Sequence, residues 1–217
     1  MAGRVFVISG PSGVGKSTVI HRVREGVEGL AYSISHTSRS PRGVEKDGIE
    51  YHFVDRNAFR AMIEAGEFAE WAEVYGDYYG TSLKALSDIT SRGLDVIMDV
   101  DVQGAANMRR KVSECVLVFL LPPDLKTLES RLRGRGTEDK NALAGRIEKA
   151  AREIGHCPHY DYLVVNDDLK QAVDDLSAIV RAERCRTAGK LPDVVKRLPA
   201  AGESVVLSAR HPSASSE

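Results

Sequence analysis

The segment GPSGVGKS at positions 10–17 constrains this chain more than any other feature. It follows the short apolar run VFVIS and precedes a stretch with helical periodicity, so the predicted order is strand, glycine-rich loop, helix. Glycines let such a loop curl until consecutive backbone N–H groups point inward, and the N-terminus of the following helix adds partial positive charge. The segment therefore predicts a loop that binds nucleotide phosphates.

Two side chains of this loop extend the prediction to the nucleotide and its metal. Lys16 would bridge the terminal phosphates of a nucleoside triphosphate, and the Ser17 hydroxyl would reach a magnesium ion. We therefore expect ATP or GTP with Mg2+. The loop does not name the reaction, because kinases, GTPases, motors and transporter ATPases all use it. The predicted ATP-binding residues of this segment are Gly10, Pro11, Ser12, Gly13, Val14, Gly15, Lys16, Ser17 and Thr18.

The other apolar, β-branched runs alternate with helical patterns. Runs at 95–100, 116–121 and 162–166 predict strands buried on both faces, which is typical of parallel sheets that helices cover on both sides. Apolar side chains recur at helical spacing after a predicted N-cap at Asp124 and again along 170–186. This alternation predicts an α/β fold with a parallel central sheet.

Two stretches interrupt the alternation. Residues 31–80 are rich in Arg, Tyr, Gly and acidic side chains, and they predict a small inserted α+β subdomain of short strands with a helix near 56–65. The basic sequence RGRGTE at 133–138 predicts an exposed turn between two helices, of the kind that serves as a lid. From residue 188 onward Pro, Ser and small residues dominate, which predicts a poorly ordered tail.

The inserted stretch also carries the evidence for the phosphoryl acceptor. Arg39 and Arg42 lie three residues apart among hydroxyl side chains, and guanidinium forks bind two oxygens of a phosphate at once. Tyr51 could add a phenolic donor. An isolated pair of this kind is often only a solvated basic loop, but here it lies in a chain that already carries a nucleotide loop. We therefore expect a second phosphate group at this place.

A second group of side chains favours guanine as the base of the acceptor. A carboxylate at Glu70 could accept hydrogen bonds from the adjacent N1–H and N2–H2 donors of guanine, a pair that adenine lacks. Asp99 and Asp101 follow a strong strand and are expected on the same side of it, facing the crevice at the carboxyl ends of the strands. The alternative for Asp101 is a helix N-cap, and for Trp71 and the neighbouring tyrosines it is simple packing.

Charge and composition limit the classes of partner. Thirty Lys and Arg against 31 Asp and Glu give a net charge of −1, so there is no general attraction for nucleic acid or an acidic membrane surface. Three widely spaced cysteines predict no disulfide framework and suit a reducing compartment. No apolar stretch approaches the ~18 residues of a membrane span. We expect a cytoplasmic protein without nucleic-acid or membrane partners.

The motifs together resemble one enzyme family. In chain order they are GPSGVGKST, SISHTSRSPRGVEKDGIEYHFV, FAEW, YYGTS, DVDVQG, RLRGRGTE and VVNDDL. This set is similar to that of the guanylate kinases and covers the chain from about residue 4 to residue 186. The resemblance implies a three-layer P-loop NTPase fold and transfer of the terminal phosphoryl group of Mg-ATP to GMP, with dGMP as a further acceptor. One departure is Ala69, where the family commonly has a larger apolar residue, and it bears on packing only.

The resemblance also implies roles for single residues and for segments. Catalytic roles fall to Lys16, Arg39, Arg135 and Arg146. The GMP phosphate would be held by Arg39, Arg42, Tyr51 and Tyr79, and the nucleoside by Ser35, Glu70, Thr81, Asp99 and Asp101. Arg131, Arg135, Arg146 and Asn166 would contact the donor nucleotide. The implied kinase domain is 1–187, with a core at 1–32 and 82–187, a lid at about 124–152, a GMP-binding subdomain at about 33–81 and a tail at 188–217.

Two other functions remain open at the level of sequence. The first is a non-catalytic interaction module of the same fold, but such modules have degraded phosphate loops, and Lys16 and Ser17 are both present here. The second is a kinase of the same fold for another phosphorylated small molecule, against which Glu70, Thr81 and Asp99 argue. The oligomeric state is expected to be a monomer or a homodimer.

Overall fold

The computed structural model describes residues 3–74, 76–133 and 140–187, and it places nine strands and seven helices in them. In chain order they are β1 (Val5–Ser9), α1 (Lys16–Gly26), β2 (Leu30–Tyr32), β3 (His36–Thr37), β4 (His52–Phe53), α2 (Arg56–Glu64), β5 (Phe68–Val74), β6 (Asp77–Ser82), α3 (Leu83–Thr90), β7 (Asp95–Asp99), α4 (Val102–Lys111), β8 (Val116–Leu121), α5 (Leu125–Arg133), α6 (Lys140–Ile154), β9 (Tyr162–Val165) and α7 (Leu169–Arg184).

Five parallel strands form the central sheet, in the order β2-β7-β1-β8-β9. β1 lies in the middle because its five residues are all buried and apolar or small, and it pairs with β7 on one side and β8 on the other. The strand predictions at 95–100 and 116–121 are confirmed, although β7 ends at Asp99. Because all five strands run in the same direction, the loops that follow them meet along one edge of the sheet.

Helices cover both faces of this sheet. On one face α1 and α7 bury Val19, Val23 and Leu176 against Phe6 and Ile8 of β1. On the other face the apolar side chains of α3 and α4 pack against alternate residues of β1, β7 and β8. Successive buried side chains of β1 therefore pack into two separate apolar layers, one on each face of the sheet. The predicted three-layer α/β fold is confirmed.

β9 departs from the prediction that each strand is buried on both faces. It pairs with β8 and forms the edge of the described sheet, and Leu163 and Val165 on one face are 53% and 47% exposed. Only Val164, which points to the α1 and α7 side, is fully buried. An apolar run shows that a strand can be buried, but it does not show whether helices cover both of its faces.

The inserted stretch forms a second, four-stranded sheet in the order β4-β3-β6-β5. β3 pairs parallel with β4 and antiparallel with β6, and β6 pairs antiparallel with β5. Phe59 of α2 stacks between Phe68 and Tyr78, which gives this sheet a small aromatic core of its own. The prediction of short strands with one helix near 56–65 is confirmed.

The helix ends follow ordinary capping chemistry. Asp55 caps α2 through two backbone N–H groups, and the predicted cap at Asp124 is confirmed by its contact with the backbone N–H of Thr127, at 2.6 Å. Asp168 begins the closing helix α7, which ends at Arg184. Within the described ranges, no helix combines the length and apolar character needed to cross a bilayer. The tail from residue 188 and residues 134–139 of the predicted lid lie outside the described residues.

Candidate active site

The glycine-rich loop lies between the carboxyl end of β1 and the first residue of α1, Lys16. Gly10, Gly13 and Gly15 have φ values of 144°, 84° and 98°, a region that side chains with a Cβ rarely adopt. Gly15 caps α1 without a side chain, so no capping group covers the first-turn N–H donors of the helix. The predicted context of strand, loop and helix is confirmed, and its geometry suits an anion.

Close packing explains two of these glycines further. A Cβ on Gly10 would lie 2.3 Å from the backbone carbonyl oxygen of Leu120 in β8. A Cβ on Gly15 would lie 2.6 Å from the side-chain nitrogen of Asn166. A larger residue at position 10 would push the loop away from β8, and one at position 15 would displace the Asn166 side chain.

Lys16 lies across the loop. Its ammonium donates to the carbonyl oxygen of Gly10 at 2.6 Å and to that of Pro11 at 3.3 Å, so the charge is held inside the curve of the loop. Ser17 and Thr18 follow in the first turn of α1 with exposed side chains. The loop therefore joins uncapped N–H donors of the first helical turn, a lysine charge and two hydroxyls.

Asn166 and Arg131 support the phosphate loop through two hydrogen bonds. The Asn166 amide nitrogen donates to the buried carbonyl of Val14 at 2.7 Å, and Arg131 of α5 donates to the backbone carbonyl of Asn166 at 2.9 Å. Asn166, which follows β9, therefore links α5 to the phosphate loop. Its predicted contact with adenine stays a prediction, while its role as a support for the loop was not foreseen.

Arg39 is the centre of the region that the sequence predicts to hold a second phosphate. Its side chain is 8% exposed, and its two terminal nitrogens donate to the two carboxylate oxygens of Glu45 at 2.8 and 2.9 Å. The guanidinium lies over the ring of Tyr51, 5.4 Å from its centroid, and Tyr79 is near enough to help raise the pKa of Arg39. The rings of Tyr51 and Tyr79 meet edge to face, with centroids 5.8 Å apart.

Glu45 is a residue of this site that the sequence reasoning missed. Besides Arg39 it accepts from the backbone N–H of Arg42 at 2.7 Å. The hydrogen bonds from Arg39 lower the pKa of Glu45 to about 2, and the carboxylate raises the pKa of Arg39 in turn. Arg42 itself is exposed. The signal available in the sequence was the spacing, with Arg39, Arg42 and Glu45 within seven residues, but only the two arginines of this stretch were considered.

Glu70 and Thr81 form the predicted base-reading pair. Thr81 donates to one carboxylate oxygen of Glu70 at 2.7 Å, and both side chains are buried. A register shift between Phe68 and Glu70 marks a β-bulge in β5, which turns Ala69 into the core of the main sheet. Burial raises the pKa of Glu70, and the charge of Asp101 raises it further.

Asp99 and Asp101 lie near each other in sequence but do not share a strand. β7 ends at Asp99, whose carboxylate accepts from the hydroxyl of Tyr32 at 2.7 Å. Asp101 is the N-cap of α4 and accepts from the backbone N–H of Gly104 at 2.8 Å. The expectation that both residues lie on one extended strand is therefore wrong, because Asp101 caps α4, which begins at Val102, three residues after the strand ends. The helix-cap alternative for Asp101 is the one observed.

The remaining predicted residues are placed unevenly. Ser35 lies between β2 and β3, and its backbone carbonyl accepts from the N–H of His52 at 2.9 Å. Arg146 is on α6 and partly exposed. Arg135 lies outside the described residues. The structure thus places the phosphate loop after β1 of the main sheet, and Arg39 and the Glu70 pair in the inserted subdomain, while the lid arginines are described only in part.

The donor set suits magnesium but not a metal cage. Ser17 offers one hard oxygen ligand beside the loop, and Mg2+ keeps most of its sites for water and substrate phosphate oxygens. Among the described residues, no three His, Cys, Asp or Glu side chains lie together in a way that could hold a metal ion. A metal at this site would therefore depend on the nucleotide for most of its ligands.

Comparisons with known proteins agree with this geometry. The family model described as guanylate kinase matches residues 2–183. Guanylate kinases of Carboxydothermus hydrogenoformans and Koribacter versatilis are 46% and 47% identical to this chain, over 85% and 86% of it and over 90% and 81% of their own lengths. The crystal structure of guanylate kinase from Anaplasma phagocytophilum matches with a TM-score of 0.70 and 34% identity, covering 90% of this chain and 94% of that one. The chain belongs to the guanylate kinase family, whose enzymes phosphorylate GMP at the expense of ATP.

Proposed function

We propose that ATP binds at the loop of residues 10–17 and that GMP binds between Arg39 and Glu70, with in-line transfer of the γ-phosphoryl group between them. The observation that carries this proposal is topological. The loop follows β1, Asp99 ends β7, and these two parallel strands are neighbours. Tyr32 at the end of β2 donates to Asp99 at 2.7 Å and so extends the same edge. Donor and acceptor would therefore meet over one edge of one sheet.

The chemistry follows from the charges that must be brought together. The attacking group is a phosphate oxygen with a second pKa of ~6, so it is mostly ionised at neutral pH and needs no general base. The barrier comes from two mutually repelling anions and from charge spread over the transferring group. Lys16 on the donor side and Arg39 on the acceptor side would neutralise this charge in positions that the fold fixes beforehand.

Arg39 would act with a small set of neighbours on the GMP phosphate. Its fork is held by Glu45, so the guanidinium is oriented before substrate arrives. Arg42, Tyr51 and Tyr79 would complete the phosphate site from the same side. The two tyrosine hydroxyls offer neutral donors, which limits the positive charge that the site carries without substrate.

Guanine would be read by Glu70. The bond from Thr81 fixes one carboxylate oxygen, and burial removes the water that would compete for the other. The carboxylate would accept from N1–H and N2–H2 of guanine, while adenine would present an acceptor at N1 and be repelled. Ser35, Asp99 and Asp101 would surround the nucleoside, and dGMP would also be accepted.

Mg2+ would be held by Ser17 together with phosphate oxygens and water. When bound, the ion would neutralise part of the charge on the phosphates of ATP. On the protein side, Arg131, Arg146 and Arg135 would close over the donor nucleotide, and Asn166 would lie against the adenine. Such closure would exclude water and so limit hydrolysis of ATP.

We further propose that the protein works in the cytoplasm, as a monomer or homodimer, on small-molecule substrates. All three cysteines, Cys115, Cys157 and Cys185, are free thiols, and this suits a reducing compartment. The net charge of −1 gives no reason to expect a nucleic-acid partner.

The test is ADP release from Mg-ATP with GMP, dGMP, AMP, CMP, UMP and dTMP offered separately. We expect turnover with GMP and dGMP and only background with the others. Turnover with another monophosphate would overturn the assignment of Glu70 to guanine. A folded protein that binds GMP but releases no ADP would contradict the catalytic proposal and favour an interaction module.

A further inference from the structure

One contact joins the base-reading carboxylate to the main sheet. Because β5 bulges at Ala69, Glu70 lies against the first turn of α4, near Asp101. Its oxygen Oε1 accepts from Thr81, while Oε2 faces Gly104. The position of the carboxylate therefore depends on two elements, β6 on one side and α4 on the other.

Gly104 leaves little room at this contact. A Cβ built on it would lie 3.2 Å from Oε2 of Glu70 and 2.9 Å from the Cβ of Val100. Its own backbone N–H is fixed by the carboxylate of Asp101 at 2.8 Å, so the helix turn cannot easily move away. A methyl group at this position would have to displace the Glu70 side chain, the Val100 backbone or both.

We propose that Gly104 is a positioning residue for guanine specificity, acting through Glu70. The inference rests on the proposed reading of guanine by Glu70. The missing side chain lets the carboxylate approach α4 closely enough to present its oxygens to two adjacent donors. A displacement of a few tenths of an ångström would spoil one of the two hydrogen bonds before it spoiled the fold, since a bidentate contact tolerates little misplacement.

The helical backbone itself gives no reason for a glycine. Gly104 lies inside α4 and alanine is the better helix former, so Gly104→Ala would favour the helix if the position were open. Gly26, the last residue of α1, provides the matched control, because no described atom lies within 4 Å of a Cβ built there. Gly26→Ala should keep the activity and slightly raise the thermal stability.

The experiment compares GMP with inosine monophosphate, which lacks the 2-amino donor of guanine. For Gly104→Ala we expect kcat/KM with GMP to fall at least ~10-fold, the fall with inosine monophosphate to be smaller, and the KM for ATP to be unchanged. The ratio of the two kcat/KM values does not depend on the fraction of folded enzyme, so a partly unfolded preparation still gives the answer. An unchanged ratio would overturn the proposal.

A double-mutant cycle tests whether Gly104 acts through Glu70. In the Glu70→Gln background, adding Gly104→Ala should not further change the ratio of kcat/KM for GMP to kcat/KM for inosine monophosphate. The shorter side chain of Glu70→Asp, combined with Gly104→Ala, should restore part of the ratio because it withdraws from the added methyl group. A Gly104→Ala protein that does not fold in either background contradicts the proposal, because the role of the glycine would then be structural.

Different results would contradict the role of Glu70 and the role of Gly104. If Glu70→Gln leaves the ratio of GMP to inosine monophosphate unchanged, the assignment of Glu70 to guanine is itself wrong. If Glu70→Gln lowers the ratio and Gly104→Ala does not, only the inference about Gly104 is wrong.

Discussion

At the scale of single residues, the pair of Arg39 and Glu45 requires a planar, forked cation. Both terminal nitrogens of Arg39 are engaged by one carboxylate, and a lysine ammonium cannot reproduce that geometry. We expect Arg39→Lys to lower kcat/KM for GMP by ~10²-fold or more, by analogy with arginines that stabilise phosphoryl transfer. Steady-state kinetics with GMP varied at saturating ATP measures this.

The control for that variant is Arg92→Lys, at an exposed position in the turn after α3. It makes the same chemical change and should leave kcat/KM for GMP unchanged. The KM for ATP should be near the wild-type value in both variants, because the proposed role of Arg39 is to bind the acceptor. An Arg39→Lys enzyme with wild-type kcat/KM would remove Arg39 from the phosphate site.

Two carboxylates of the site should affect stability in opposite directions as pH changes. Burial raises the pKa of Glu70 above its ordinary 4.5, so its ionisation opposes folding and the protein loses stability as pH rises through the folded-state pKa. Arg39 lowers the pKa of Glu45 to about 2, so this group adds stability above pH 4.5 that is lost as pH falls toward 2.

At pH 7 we therefore expect Glu70→Gln to be more stable than the wild type and Glu45→Gln to be less stable. The stability difference of Glu70→Gln should shrink as pH falls, because Glu70 becomes protonated near its folded-state pKa. The stability difference of Glu45→Gln should shrink as pH approaches 2. Urea unfolding between pH 4 and 8 measures the first difference. A Glu70→Gln protein that is less stable than the wild type at pH 7 would contradict this account of burial.

Some residues of the candidate site can be recognised from the sequence, and others cannot. Arg39, Glu70 and Thr81 could be named because their chemistry matches that of a phosphate or a guanine. Glu45 and Tyr32 could not, since each acts by holding another side chain, and such a partner is recognisable only when the fold brings the two together.

At the scale of elements, the phosphate loop depends on the end of β9. Replacing Asn166 by Ala removes the donor to the buried carbonyl of Val14 and leaves that oxygen unsatisfied. We expect Asn166→Ala to lower the free energy of unfolding by about 1–3 kcal/mol and to raise the KM for ATP more than that for GMP. Urea unfolding and steady-state kinetics are the measurements.

Asn57→Ala is the matched control for this variant, because the Asn57 side chain is exposed on α2 and its backbone N–H alone is bonded to Asp55. It should change neither KM value. Equal increases in the KM for ATP and for GMP in Asn166→Ala would show a general loosening and contradict a specific support of the loop.

The elements themselves were predicted unevenly, for a physical reason. The runs that became β1, β7 and β8 are apolar throughout because helices cover both of their faces, and this pattern is visible in sequence. The bulge in β5 leaves no such signal, since it depends on the register against β6. The exposed face of β9 was missed because burial depends on which helices lie nearby.

At the scale of the whole molecule, the candidate site takes its residues from two sheets. The phosphate loop follows β1 of the parallel sheet, while Glu70 lies in β5 of the smaller sheet and Arg39 lies just after its strand β3. Contacts such as that of Lys111 on α4 with the carbonyl of Phe68 on β5, at 2.5 Å, hold the two together. This arrangement was predictable in outline from the insertion between the first two strong strands of the core, but the contact between α4 and β5 was not.

The central claim is that the phosphoryl group passes directly from ATP to GMP at this site. The most direct test follows ATP labelled in its γ-phosphate during reaction with GMP and Mg2+, and locates the label by 31P NMR or chromatography. The account predicts that the label appears in the β-phosphate of GDP in step with ADP. Label released as inorganic phosphate, with GMP left unchanged, would contradict it.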